Sequence, residues 1–453
     1  MKILFIRPNM APRRSSDALE PLCLAILQAL TPEDVETKLI DERLEPVPLD
    51  EPADLVALTV ETYTARRAYQ IAAAYHARGV PVVMGGYHPT FLPEEALRFA
   101  DAVVCGDAEG IWEQVLADTR AGRLAGIYRR EGFPPLASAR FDRSIFAGKN
   151  YGPVRMVQYG RGCKWNCDFC SIRAFYGSSL RQRPVEAVVR ELEQLAPRHV
   201  FLVDDNIFVD TAQARELFGA LKPLGIRWST QVSLDIAKDP KLVKLMAESG
   251  CTLALCGFES LNSQNLHQMK KHWNQGYGGY DRAIQILQDA GIMIYGTFVF
   301  GYDHDTADAF DEAVEFAMKH RFALANFNPL TPTPGTPLLE RLRGQGRMLW
   351  DRWWLADDYT YGHATFRPRM MEPEELTAGC FRARKRFYTL GSIVRRALEP
   401  RTNLASFHRL GLHMMMNLIS RREISIKQNA SLGAPEPLQP RPATSSAVTQ
   451  GGV

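Results

Sequence analysis

Short, continuous apolar runs recur in the first part of the chain at 3–7, 36–40, 55–60, 80–84 and 102–105, with helix-length stretches at 19–29, 65–78 and 93–99 between them. Runs that are apolar at every position predict strands buried on both faces. Their alternation with helices predicts a parallel sheet covered on both sides. Residues 1–125 therefore read as a doubly wound α/β domain that would bind its ligand at the carboxyl ends of the strands. A second alternation starts at residue 154, with strands expected at 154–159, 200–204, 227–232, 252–257, 293–300 and 325–330 and helices at 184–195, 211–221, 240–248, 280–290 and 307–319. Six βα units in succession, joined by right-handed crossovers, predict a partial or full barrel over 151–337. Residues 126–150, with Pro134 and Pro135, read as a linker, and 338–430 as a mainly helical region. The segment 431–453 is poor in large apolar residues and rich in Pro, Ser, Ala, Thr and Gly from Gly433 on, which predicts a disordered tail.

Composition narrows the class. With 453 residues, 46% hydrophobic and 23% charged, the chain has the balance of a folded protein of two or three domains. A net charge of +3 argues against a general polyanion binder, and no nucleic-acid partner is expected. No stretch of about 18 apolar residues appears, and the N-terminal run is too short for a secretion signal, so a cytoplasmic protein is expected. The charge is uneven: over 382–427 arginines and lysines are interleaved with apolar residues, and the only acids are Glu399 and Glu423. Two readings stay open for that region, a helical cap with a solvated basic face or a peripheral contact with the inner face of a membrane.

The strand ends of the first domain carry Glu61-Thr62-Tyr63, Gly85-Gly86-Tyr87-His88-Pro89 and Gly106-Asp107-Ala108-Glu109. Glycines there either let the backbone approach a ligand or simply form tight turns. Of the eight cysteines, Cys163, Cys167 and Cys170 crowd into one loop after the first barrel strand, and the other five are scattered. Such a cluster in a reducing compartment means metal or redox chemistry, and thiolates suit zinc or an iron–sulfur cluster. Structural zinc takes four protein ligands, whereas no fourth follows nearby, the next candidate being His199. Three thiolates leave one iron of a cluster open for a substrate.

This Cys-x3-Cys-x2-Cys loop, with Phe169 before the third cysteine, resembles the signature of the radical S-adenosylmethionine (SAM) superfamily. The resemblance implies a 4Fe–4S cluster on the three cysteines, SAM chelated to the open iron, and its reductive cleavage to a 5′-deoxyadenosyl radical. It implies Phe169 near the adenine. Asp204 and Asp205 stand where the family carries Gly-Gly-Glu for the SAM amino group, although Asp205-Asn206 also suits a turn. Gln231 and Ser233 would line the SAM site. Glu259, in Cys256-Gly257-Phe258-Glu259-Ser260, would either reach SAM or cap the next helix. Lys270, Lys271 and His272 would reach the SAM carboxylate or form a solvated charge run. The segments 83–90, 106–112, 296–302 and 331–337 are similar to the branch with an N-terminal Rossmann-type, cobalamin-binding-like domain, so the resemblance spans residues 1 to 340. It implies cobalamin held near Glu61, Thr62, Gly85, Gly86, His88, Gly106 and Glu109. The Asp-x-His-x-x-Gly motif that puts a histidine on cobalt elsewhere is absent, which implies cobalt without a protein histidine.

The implied activity is cobalamin-dependent methylation or another radical transformation of a small or lipid-like molecule. An external electron donor such as flavodoxin or ferredoxin would serve it. Transfer of SAM's 3-amino-3-carboxypropyl group and a non-catalytic iron–sulfur scaffold remain alternatives. No motif identifies a catalytic side chain or the substrate.

Overall fold

The computed structural model describes residues 1–276 and 278–441. Its first sheet contains β1 (Lys2–Arg7), β2 (Glu36–Asp41), β3 (Leu55–Thr59), β4 (Val82–Gly85), β5 (Ala102–Cys105) and β6 (Gly126–Arg129), in the order β2-β1-β3-β4-β5-β6. All pairs are parallel. Period-two alternation sends Ile3 and Phe5 of β1 into one core and Leu4 and Ile6 into the other, which is why that strand is apolar throughout. The order reverses between β1 and β3, and a crevice opens at their carboxyl ends. Strand β6 corrects the linker expected at 126–150. Its residues alternate half-buried and exposed, as an edge strand does, so no apolar run marks it.

The second sheet is built from β7 (Arg155–Val157), β10 (His199–Leu202), β11 (Arg227–Val232), β12 (Cys251–Glu259), β13 (Met293–Phe300) and β14 (Leu324–Pro329), again all parallel. Their order is β14-β13-β12-β11-β10-β7, so the barrel is open between β14 and β7. A small antiparallel ribbon, β8 (Gly160–Arg161) with β9 (Arg181–Gln182), carries the chain into and out of the cysteine loop.

An open edge strand presents unpaired backbone groups. The C-terminal helices Pro373–Phe387, Leu390–Ala397 and Phe407–Lys427 cover the β14 side of the barrel. The Tyr388 hydroxyl donates to the Ala325 carbonyl at 3.0 Å, and Asn417 to Ala323 at 2.9 Å. Arg396, fully buried, donates to the carbonyls of Phe322 and Ala323 just ahead of β14 at 2.8 and 2.9 Å. Burial pushes its pKa down to about 10.

The tail expected to be disordered from 431 is ordered as far as it is described. Leu432 is 3% exposed and joins the core of the first domain, the Gln70 amide donates to the carbonyls of Ala434 and Glu436, and Arg441 pairs with Asp101 at 2.7 Å. One leucine and a few backbone bonds to a distant domain leave no compositional trace. Residues 442–453 of that expectation lie outside the described residues.

Candidate functional site

The cysteine loop is held by groups from three directions. Gly162, at φ 97°, passes so close to Ser179 that a Cβ would collide with its carbonyl oxygen. The Gly162 N–H donates to Asp205 at 2.8 Å. The Asn206 amide stands 3.9 Å from the Cys163 sulfur and donates to Ser233 at 2.9 Å. Asp168, buried beside Cys167, accepts from the Tyr302 hydroxyl at 2.6 Å and pairs with Arg341 at 2.9 Å. Trp165 stacks on Trp273 with centroids 3.6 Å apart. Burial pushes the Cys167 thiol up to about 12 and raises Cys163 and Cys170 as well. Among the described residues no three His, Cys, Asp or Glu side chains converge on a single-ion site. A cubane cluster makes no such demand, because each thiolate takes a different iron. Three soft thiols on one loop, Cys167 buried and the other two half-buried, each within electrostatic reach of another, are a donor set that fits it.

Asp204 and Asp205, expected to serve the SAM amino group, are engaged by backbone N–H groups at the start of the cysteine loop. Asp204 is buried and accepts from the N–H groups of Tyr159 and Gly160, and burial raises its pKa to about 7. Asp205 takes up Gly162, and burial raises it to about 6. Both carboxylates brace the cysteine loop from below, since a loop that turns away from its strand leaves backbone donors to be satisfied. Ser233 donates to Asp235, Gln231 is half-buried beside it, and Phe169 lines a cavity described below.

Glu259 is buried at the end of β12, within electrostatic reach of Cys167. It takes φ 65°, unusual for a side chain with Cβ, at a register shift between β12 and β13. Its carboxylate accepts from the Lys271 ammonium at 2.6 Å. Lys271 is therefore no solvated charge: burial works against its charge, but Glu259 holds its pKa above the usual value. Lys270 and His272 are exposed. The sequence offered Lys271 only as one of three polar residues in a row, with nothing to say which one turns inward. Asn206, Asp168 and Arg161 were not among the expected site residues.

The crevice of the first sheet is a cavity of about 290 Å³. Its wall includes Glu61, Gly85, Gly86, Gly106 and Glu109, with an apolar floor that includes Ala57, Val83, Val104 and Trp112. A Cβ on Gly86, at φ 109°, would meet the Val60 carbonyl at 2.8 Å. Two expected members are absent from the lining. The His88 ring is 0% exposed and is bonded at 3.1 Å to both Tyr69 and Glu95, and Thr62 is buried 3.4 Å from its other nitrogen. Proline follows His88 inside the short helix Tyr87–Phe91. The barrel closes the cavity from the other side with Gln158, Arg161, Phe175 and Tyr176. Arg161, buried, pairs with Asp107 at 2.9 Å and Glu109 at 2.8 Å. An apolar floor with three glycines at the ends of β4 and β5 fits a flat macrocycle that approaches the backbone closely.

A glycine-lined crevice at a doubly wound switch point, joined to an open six-stranded barrel with a three-cysteine loop, defines a radical SAM enzyme with a B12-binding domain. Residues 157–317 match the Radical SAM superfamily and residues 28–116 the B12 binding domain. The chain is 30% identical to the bacteriochlorophyllide d C-12(1)-methyltransferase of Chlorobaculum tepidum over 89% of each chain. It is also 30% identical to the bacteriochlorophyllide d C-8(2)-methyltransferase of that organism, over 84% of this chain and 88% of the relative. The structure of the radical SAM methyltransferase TsrM from Kitasatospora setae, with cobalamin and a [4Fe-4S] cluster bound, superposes with a TM-score of 0.60 at 17% identity, covering 76% of this chain and 75% of that one. The chain belongs to the cobalamin-dependent radical SAM methyltransferases. Its cofactors are a 4Fe–4S cluster, SAM and cobalamin.

Proposed function

We propose that this methyltransferase acts on an unactivated carbon of a flat, chlorin-like small molecule, with Cys163, Cys167 and Cys170 holding the cluster and Glu61, Gly85, Gly86, Gly106 and Glu109 around the corrin. The observation that carries the reading is the helix Ser171–Tyr176. It starts directly after Cys170 and ends with Phe175 and Tyr176 in the wall of the first-domain cavity, so the two cofactor sites share one rigid element. When bound, the cluster supplies the electron that cleaves SAM and cobalamin supplies a carrier for the methyl group.

The chain's own residues do the rest. Asp204, Asp205 and Asn206 fix the cysteine loop, and the Glu259–Lys271 pair offers a buried polar floor to SAM, with Gln231 and Ser233 beside it. Arg161 clamps the barrel to the strand-end loop of the first domain and narrows the route for water between the two centres. Transfer of the 3-amino-3-carboxypropyl group has no use for a corrin crevice, which disfavours it. The substrate class follows the two bacteriochlorophyllide relatives and the aromatic residues Phe169, Tyr63 and Tyr361 that meet beyond the cysteine loop. A flavodoxin or ferredoxin serves as donor, since the remaining cysteines are scattered and form no second cluster motif. The working division is a cobalamin domain ending after β6, a barrel to residue 337, and a helical region whose tail docks back on the first domain.

Anaerobic reconstitution tests this. The wild type should carry about four irons per chain. Cys163→Ala, Cys167→Ala or Cys170→Ala should lose the iron and SAM cleavage while still binding cobalamin. Turnover should leave 5′-deoxyadenosine and S-adenosylhomocysteine. Stoichiometric zinc without iron, or methylthioadenosine as the product, would overturn it.

A further inference from the structure

We infer that Arg384 is an anion-recognition point, reading a carboxylate on the otherwise flat and apolar substrate. The inference rests on the substrate reading above and names the group by which that substrate is held.

A second cavity, also of about 290 Å³, lies between the ends of β13 and β14, the loop after β3 and the C-terminal segment. Phe169, Tyr63 and Tyr361 give it aromatic walls, and Val299 and Leu330 make it apolar at the barrel end. Phe169 lies between Cys167 and Cys170, so the cavity begins at the reaction centre. Its lining also includes Arg384, which is 6% exposed.

The guanidinium is only partly spent. Its Nε donates to the Phe327 carbonyl at 2.9 Å and its Nη1 reaches Gln428 at 3.4 Å. Its Nη2 donates to no described residue, and no carboxylate among the described residues lies within ion-pair distance. Arg396 shows what a purely structural arginine looks like in this fold. All three of its nitrogens are used, on Ser392, Phe322, Ala323, Phe387 and Asn417. A guanidinium stays charged at any physiological pH, and a buried charge without a counter-ion is costly. A cavity with an unspent donor on a buried cation suits a ligand that brings its own anion. The apolar, aromatic lining suits the body of a planar ring, and Arg384 then fixes which edge of the ring faces the cysteine loop.

The test uses the anaerobic holoenzyme and two pairs of fluorescent probes, pheophorbide a with its methyl ester and pyrenebutyric acid with its methyl ester. In each pair the free acid should bind roughly tenfold or more tightly, the scale of one charge-assisted hydrogen bond. Arg384→Gln should erase the preference and leave ester affinity and SAM affinity unchanged, and Arg384→Lys should restore part of it. The wild-type comparison stands even if the variants fold poorly because the Phe327 bond is lost. Equal affinity for acid and ester in both pairs overturns the inference, as does loss of SAM binding in Arg384→Gln. Binding of the pyrene acid with preference, but of neither chlorin, would uphold Arg384 and sink the chlorin reading instead.

Discussion

At the residue scale, the sites divide by how many partners each side chain already has. In sequence Asp204 and Asp205 stand where SAM ligands are expected, yet backbone N–H groups claim them. Glu259 and Lys271 keep a face toward the barrel while satisfying each other. The same accounting removes His88 from the corrin. Both ring nitrogens have partners, Trp354 packs edge-on at 5.6 Å, and no histidine lines the first-domain cavity. Electron paramagnetic resonance of the Co(II) form should therefore show no nitrogen coupling from the protein. An axial-nitrogen signal that disappears in His88→Ala would contradict that. The missing Asp-x-His-x-x-Gly motif made the point in sequence, and the ring's burial supplies the physical reason.

At the scale of elements, long apolar strands were legible and short or half-exposed ones were not. Strand β13 lies where its apolar run predicted, because a strand buried on both faces has little room for polar residues. The edge strand β6 and the ribbon β8–β9 carry no such signal. The helix Phe407–Lys427 was visible as interleaved basic and apolar residues, but its anchoring was not. His413 in this helix is fully buried and donates from Nε2 to the Ile393 carbonyl at 3.1 Å, tying the last two helices together. Burial pushes its pKa down to about 4. In the unfolded chain it titrates near 6.5, so between these values the unfolded state binds more protons. Its contribution is complete above pH 6.5 and is lost as pH falls toward about 4, a loss on the order of 3 kcal/mol. Urea midpoints measured from pH 7 to 4.5 should fall in the wild type and fall less steeply in His413→Gln, which keeps a donor but does not titrate. Parallel slopes in the two proteins would assign the acid sensitivity elsewhere, His199 being held near 4 by burial as well.

At the scale of the whole molecule, no helix among the described residues is long and apolar enough to cross a membrane. The C-terminal helices nevertheless expose Leu390 (58%), Val394 (54%), Leu398 (55%) and Phe407 (95%) on the outside of the cap, with Arg395 and Arg422 exposed nearby. We propose peripheral contact with an anionic membrane through this face, which would also suit a poorly soluble substrate. The wild type should co-sediment with phosphatidylglycerol vesicles and not with phosphatidylcholine vesicles, and the combined Leu390→Ser, Leu398→Ser and Phe407→Ser variant should stay in solution. A wild type that ignores both vesicle types would return the region to a cap alone. Chain-wide, the order of strands and helices, the cysteine loop and the family were determined by sequence, because each rests on local spacing: an apolar run, a crossover length, three thiols in one turn. Only the tertiary structure decided which polar residues face a cofactor. Asp204, Lys271, His88 and Arg384 are ordinary in sequence, and their roles depend on partners between 7 and 57 residues away. Burial then forces each such group to find a partner or to wait for a ligand that brings one.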